Sequence, residues 1–392
     1  MARHRIYDFD GIRRLNIYEM KKNVVLINQS TGYLMIDIVN AYAAQYDQVV
    51  LIAGSIKYSE RSLADKVHVD KIIAYDRSSA IQRIFTWLFG TIQILFKLLF
   101  KYKQYEVVYV TNPPMSYLLA YFIHRPYSII VYDIYPDALK NVGITEHHPI
   151  YHLWAKWNKR LFAKAQKVIT LSEGMGKVLE LYVNSSKIKI IYNWSASDKL
   201  HPIDKGLNPF VKQHGLENKF IVLYSGNIGY THNVECLVDI AKYLKSDPDI
   251  LFLIIGEGKK KGMIQDMVSK AHLTSFLFLT WQNKDVLPYS LSAADVAVIT
   301  LNDDTAQASV PSKTYNLLAV GAPLMCISPK NSELARLVNK FQNGSCFEKD
   351  DAESMAAYIS KLKANPDTRK ELSTNSLQAA KCFTYQNAEE YV

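Results

Sequence analysis

The chain has 392 residues, 49% of them apolar and 21% charged, with a net charge of +9; this suits two or three domains with large cores and excludes a chain disordered for want of apolar surface. The four cysteines, Cys236, Cys326, Cys346 and Cys382, form no C-x-x-C pair, which argues against zinc sites, redox dithiols and a secreted disulfide framework and fits a reducing cytosol. The charge is lopsided: residues 1–200 hold 26 Lys and Arg against 16 Asp and Glu, the remainder 20 against 21, so the basic first half is expected to face a polyanion.

Residues 1–19 read as an N-terminal tail without the apolar run of a secretory signal. Short β-branched runs follow at 24–28, 49–53, 71–74, 107–111, 129–133, 168–171 and 188–192, mostly separated by helical patterns. Such alternation means a parallel sheet covered on both faces, with ligands beyond the carboxyl ends of its strands. The loops 28–32, 112–114 and 133–137 therefore become the expected functional edge of a first domain spanning 20–198. A linker at 199–209 leads to a second alternating series, with runs at 220–224, 250–255, 276–280, 296–300 and 324–327. The expectation is α/β: two doubly wound Rossmann-like domains, 20–198 and 210–380, facing a cleft, with 381–392 as a segment that crosses back to the first.

One predicted helix, 82–101, carries Gln82, Thr86, Gly90, Gln93, Lys97 and Lys101 on a narrow stripe and is apolar elsewhere. From residue 84 to 100 it would extend only about 26 Å, against about 30 Å of hydrocarbon, so it is expected to belong to the domain, either deeply buried or partly in lipid. The basic pattern of Lys156, Lys159, Arg160, Lys164 and Lys167 comes with no nucleic-acid motif, which makes an anionic membrane the simpler polyanion.

Anion chemistry concentrates in the second half. A helix is expected to start at Pro311-Ser312, leaving the N–H groups of Ser312, Lys313 and Thr314 free and the Lys313 charge beside them. The turn Ser225-Gly226-Asn227-Ile228-Gly229 and the run Ile255-Gly256-Glu257-Gly258-Lys259-Lys260-Lys261 end two strands on the same sheet edge, where glycines allow close approach to a ligand oxygen. In the first half, Asp133 and Asp137 stand in the cleft-facing loop and can accept or position an acceptor proton, or cap local turns. Asp8-Phe9-Asp10 and Asp247-Pro248-Asp249 spell D-x-D, but their places in a tail and a turn do not support a metal, and His147, His148 and His152 lack partner ligands.

In order, the chain carries Tyr132-Asp133-Ile134-Tyr135-Pro136-Asp137, Thr170-Leu171-Ser172-Glu173-Gly174-Met175, Ile191-Tyr192-Asn193-Trp194, Leu200-His201-Pro202, the S-G-N-I-G turn, I-G-E-G, and V-P-S-K-T-Y-N-L-L-A-V-G-A-P from Val310. Over nearly its whole length it resembles the retaining nucleotide-sugar glycosyltransferases of family four, which have the GT-B fold, in particular those of bacterial O-antigen, capsule and exopolysaccharide assembly. The resemblance implies a nucleotide-diphosphate-sugar, UDP-linked, on the second domain and a polyprenyl-diphosphate-linked glycan on the first. The protein would then be cytoplasmic and peripheral on the inner face of the membrane, need no metal or other cofactor, and bind no nucleic acid. By position, Gly226, Asn227, Gly229 and the loop Ser309-Val310-Pro311-Ser312 would face the diphosphate, Pro311 without an N–H. Asn316 stands where the family has a ribose-binding carboxylate, Ala308 where many members have a Glu, and Asn227 and His232 where many place Arg and Lys. Lys313, Lys259 or Lys260 would then neutralise the leaving group. Two other readings stay open: a UDP-sugar epimerase of the same fold, and a catalytically weakened membrane-bound partner subunit.

Overall fold

The computed structural model describes residues 22–142, 145–230, 232–301 and 310–392, with backbone alone at 140–142; the tail 1–19, Ala308 and Ser309 lie outside them. Seven parallel strands build the first sheet in the order Val67–Lys71, Gln48–Ala53, Asn23–Ile27, Glu106–Val110, Tyr127–Val131, Val168–Thr170 and Ile188–Ile190. Within it the strand Asn23–Ile27 pairs Val25 with Val50 on one side and with Val107 on the other. The run expected at 71–74 lies four residues earlier, because Val67 to Lys71 pairs with Val49 to Ala53, and Ile72 N closes the ladder by donating to Ala53 O at 3.0 Å.

The second sheet has six strands in the order Phe276–Leu279, Ile250–Ile255, Phe220–Ser225, Val296–Thr300, Leu324–Ile327 and Gly344–Phe347. Gly344–Phe347 escaped the sequence pattern since Gly-Ser-Cys-Phe has no β-branched residue; pairing along Leu324–Ile327 makes it a strand, and places Cys326 opposite Cys346.

One apolar cluster runs through both domains, from Val24 and Leu51 through Ile191, Trp194 and Phe383 to Ile221 and Leu324. At the crossing Trp194 is fully buried, and its Nε1 donates to Asp37 Oδ2 at 2.8 Å. Arg61 holds the same carboxylate through two N–H groups at 2.7 and 2.9 Å and reaches Asp198 at 2.7 Å, so the charge buried with the indole is fully matched. The chain end, Tyr385–Tyr391, packs on the first-domain helix Tyr33–Gln45, with the Tyr42 hydroxyl donating to Tyr391 O at 2.9 Å.

The helix Ala80–Phe96, capped by the Ser79 side chain and continued by a wider turn Lys97–Lys101, is docked by its polar stripe. Gln29 Nε2 donates to Thr86 O at 2.8 Å and would lie 2.8 Å from any Cβ on Gly90, which is why glycine stands there. Gln93 Oε1 accepts from Ile73 N at 2.7 Å, and Lys97 and Lys101 reach Asp70 at 2.5 and 2.9 Å. Burial alone would raise the Asp70 carboxyl, but hydrogen bonds from Lys97, Tyr102 and Lys101 outweigh it and hold it at about 2. The apolar side is left outside: Ile81, Ile84, Phe85, Leu88, Phe89, Ile92, Phe96, Leu99 and Phe100 are all exposed, Ile81 by 80% and Phe100 by 70%. By length and composition Ala80–Lys101 could cross a membrane; its tethered stripe instead lays it along the domain.

The nearby helix Pro149–Lys164 starts at His148, whose Nδ1 accepts from Ile150 N, so this histidine caps a helix rather than sitting in a free loop. Asp247 and Asp249 are both tied to Lys363.

Candidate functional site: an anion-binding edge facing an acidic loop

The strands Phe220–Ser225 and Ile250–Ile255 end in glycine turns that press against each other. Gly226 N donates to Ile255 O at 2.9 Å, Ile228 N to Glu257 O at 2.9 Å, and Lys260 N to Ile228 O at 3.0 Å. A Cβ on Gly256 (φ +149°) or Gly258 (φ +159°) would collide with the carbonyl of Gly226 or Ile228. The Gly226 N–H is therefore spent within the turn pair and is not a free donor, contrary to the sequence expectation. Among the described residues no backbone carbonyl takes the N–H of Asn227 or Gly229.

Lys313 crosses to this turn from the neighbouring loop. Its Nζ is buried without a hydrogen-bond partner among the described residues, 4.0 Å from the centre of the Tyr224 ring, and a Cβ on Gly226 would stand only 2.6 Å from it. Burial lowers its pKa to about 8. His232, close by, is lowered by its own burial and then by Lys313 and Lys260, so it stays neutral beside them. A cation kept in a recess with no counter-ion among the described residues, next to two open N–H groups, is a site suited to receive an anion.

The helix following this loop is Lys313–Ala319, one residue later than expected, and Thr314 N already donates to Pro311 O at 2.9 Å. That leaves Ser312 and Lys313 at the helix start, with the Ser312 side chain exposed and capping nothing, while Val310 is buried. The other candidates are placed differently. Lys259 is exposed at the rim, Lys260 is buried with its ammonium bound to Glu235, and Lys261 pairs with Glu257 at 2.7 Å. Lys260 is thus already neutralised, because its turn folds onto Glu235. Asn316 Oδ1 accepts from Ser195 Oγ at 3.0 Å and Ala196 N at 3.4 Å, so its oxygen holds the irregular segment between the domains rather than facing open space.

On the opposite wall, the cis Tyr135-Pro136 loop separates the two aspartates. Asp137 accepts from the hydroxyls of Tyr151 at 2.6 Å and Tyr182 at 2.5 Å, which makes it an anchor for the helix Pro149–Lys164 and for the turn that follows Glu173–Leu179, and not an open base. Asp133 has its backbone N–H on Thr111 Oγ1 at 3.1 Å and its carboxyl at the surface of the cleft. Although water reaches it, protein crowds it on most sides; that desolvation raises its pKa above the usual carboxylate range, and Arg77 opposes the rise.

Sequence reading missed what surrounds Asp133. Tyr75 stacks on Trp87 at 5.5 Å, Trp87 meets the edge of Tyr135 at 6.5 Å, and Tyr135 stacks on Trp154 at 5.6 Å. Arg77 lies 4.9 Å over Tyr75 and Arg83 5.6 Å over Trp87. Trp87 therefore faces the cleft, while the rest of its helix shows aromatic rings to the outside. Glu333 was missed too: buried at the start of the helix Glu333–Phe341, it accepts from Gly174 N of the first domain at 2.5 Å and from Arg336 at 2.9 Å.

Residues 208–379 match the family model described as glycosyl transferases group 1. The chain is 24% identical over 294 residues to the probable glycosyltransferase WbjE of Pseudomonas aeruginosa, covering 72% of this chain and 70% of that protein. It is 28% identical over 236 residues to the putative colanic acid biosynthesis glycosyl transferase WcaI of Escherichia coli, 58% of each chain. Among solved structures, HepE of Anabaena in complex with UDP and glucose superposes with a TM-score of 0.68 at 14% identity, over 94% of this chain and 98% of that one. WaaG, a glycosyltransferase involved in lipopolysaccharide biosynthesis, gives 0.67 at 13% identity with the same coverage. The chain has the GT-B fold, and residues 208–379, most of its second domain, match the group 1 glycosyl transferases.

Proposed function

We propose that the protein transfers a sugar from a UDP-linked donor to a hydroxyl of a glycan carried on polyprenyl diphosphate, with retention, at the inner face of a bacterial membrane during surface polysaccharide synthesis. The observation that carries this reading is the unpartnered Lys313 ammonium pressed against Gly226. The names of WbjE and WcaI and the UDP bound by HepE support the donor and the pathway class.

In this reading the donor diphosphate lies against Lys313, the Asn227 and Gly229 N–H groups and the Ser312 helix start. The bond from the anomeric carbon to the diphosphate oxygen breaks, and the acceptor oxygen bonds to that carbon on the same face. The acceptor proton passes to the departing phosphate oxygen while Asp133 orients the hydroxyl. Leaving-group charge then develops beside a desolvated cation, where electrostatic stabilisation is strongest. The exposed apolar face of Ala80–Lys101 supports a membrane-borne acceptor and weighs against a soluble epimerase.

The purified protein, incubated with a panel of nucleotide sugars and lipid-linked acceptors, tests this. Sugar transfer supports the reading. Conversion of a UDP-sugar without acceptor replaces it by epimerisation, and membrane binding without any turnover replaces it by a partner subunit.

A further inference from the structure

The helix Ala80–Phe96 begins at the cleft edge and runs away from it, so its first turns belong at once to the cleft wall and to the apolar outer face. Trp87 points inward to Tyr75 and Tyr135, whereas Ile81, Ile84, Phe85 and Leu88 on the same turns are exposed. Two guanidiniums stand at this junction, Arg77 on Tyr75 and Arg83 on Trp87. Arg77 acts on the Asp133 carboxyl and Arg83 on the Tyr135 hydroxyl. Yet neither arginine makes an ion pair among the described residues, and Arg83 Nε is buried with no hydrogen-bond partner. Their rings hold them in place, and among the described residues no carboxylate accepts from their N–H groups.

Two stacked, unpaired guanidiniums between an apolar surface and a carboxylate match an amphiphile in a fixed order: hydrocarbon chain, diphosphate, sugar. From Ile81 to Phe100 the outer face extends about 28 Å at 1.5 Å per residue, long enough to lie beside several isoprene units. Arginine forks bind phosphate oxygens in pairs, and one arginine per phosphate suits a diphosphate better than a single phosphate.

We propose that Arg77 and Arg83 form the binding site for the diphosphate of the lipid-linked acceptor and thereby set its sugar over Asp133, with the lipid chain along the exposed face of Ala80–Lys101. This rests on the transferase reading above and assigns its acceptor site.

Titration calorimetry on the full chain tests it, with UDP kept saturating so that the Lys313 site is filled. The probes are farnesyl diphosphate, farnesol and inorganic diphosphate. The parent binds farnesyl diphosphate at least tenfold more tightly than farnesol, the least expected of one charged hydrogen bond at roughly 1.5 kcal/mol. Arg77→Gln with Arg83→Gln removes that preference, weakening farnesyl diphosphate by about 10- to 100-fold, while farnesol affinity and UDP affinity stay as in the parent. Equal affinity of the parent for farnesyl diphosphate and farnesol overturns the proposal without any variant, so a misfolded variant does not shelter it. Displacement of the probe by glycerol phosphate as effectively as by inorganic diphosphate also overturns it, since the site would then be a general phospholipid headgroup contact. Failure to bind UDP sinks the donor reading instead, and the two failures are told apart in the same titration.

Discussion

Glu333 Oε1 and Gly174 N, 159 positions apart, meet at 2.5 Å across the two domains, so one buried carboxylate joins the starts of the helices Glu173–Leu179 and Glu333–Phe341. Both helix ends carry partial positive charge, and Arg336 adds a full one. Glu333→Ala leaves the Gly174 N–H buried without an acceptor, and is expected to cost about 1–3 kcal/mol in urea unfolding. Glu333→Gln keeps an acceptor oxygen and should cost less; equal losses for the two would show that the bond to Gly174 is unimportant.

Lys313 gives a pH prediction. Its pKa of about 8 in the free protein means that UDP meets a charged lysine below that pH and a neutral one above it. UDP affinity should therefore fall as pH rises through about 8, and binding near that pH should take up protons. Lys313→Ala should weaken UDP by about 1.5–3 kcal/mol and abolish this pH step while leaving uridine binding unchanged. Stability runs the other way: since the folded pKa lies below the unfolded value of 10.5, the cost of burying the charge is full below about 8 and is relieved as pH climbs towards 10.5. A variant that binds UDP like the parent at every pH would remove the lysine from the site.

Membrane binding should separate into two terms. Liposome binding is expected to rise with anionic lipid and fall with salt, because exposed charges are screened beyond about 8 Å at 0.15 M. Phe96→Ser with Phe100→Ser should lower the part that survives high salt by roughly 1–3 kcal/mol, with little loss of stability, since both rings already face outward. Trp87→Ser should leave that part unchanged and instead disturb the Tyr75–Tyr135 stack. Indifference of the parent protein to all vesicles would remove the support for a lipid-linked acceptor.

Asp133→Asn should reduce turnover at neutral pH by about 10- to 100-fold while leaving UDP binding intact, if the carboxylate orients the acceptor hydroxyl. Because its pKa is raised, the acid limb of kcat/KM should lie above the usual carboxylate range in the parent and vanish in the variant. Asp137→Asn should act on thermal stability rather than on that limb, through its two tyrosine bonds.

Much of the fold was already legible in the chain, because short uninterrupted apolar runs such as Ile250–Ile255, bounded by turn residues, fit strands buried on both faces, and the glycines after them fit turns at the carboxyl edge. The same reasoning placed Lys313 beside the Gly226 turn, since both follow neighbouring strands of one sheet. The helix at Ala80–Phe96 shows where periodicity stops: it revealed a polar stripe and a wide apolar face, but only Gln29, Ile73 and Asp70, brought together from other strands and loops, determined that the stripe faces inward. Asp133 and Asp137 likewise sit four positions apart in one loop, and only the arrival of Tyr151 and Tyr182 from elsewhere in the chain closes one while leaving the other open. Spacing fixes what is local to a strand or a helix turn. Which polar groups are neutralised depends on partners tens of residues away, and those pairings exist only once the sheets are assembled.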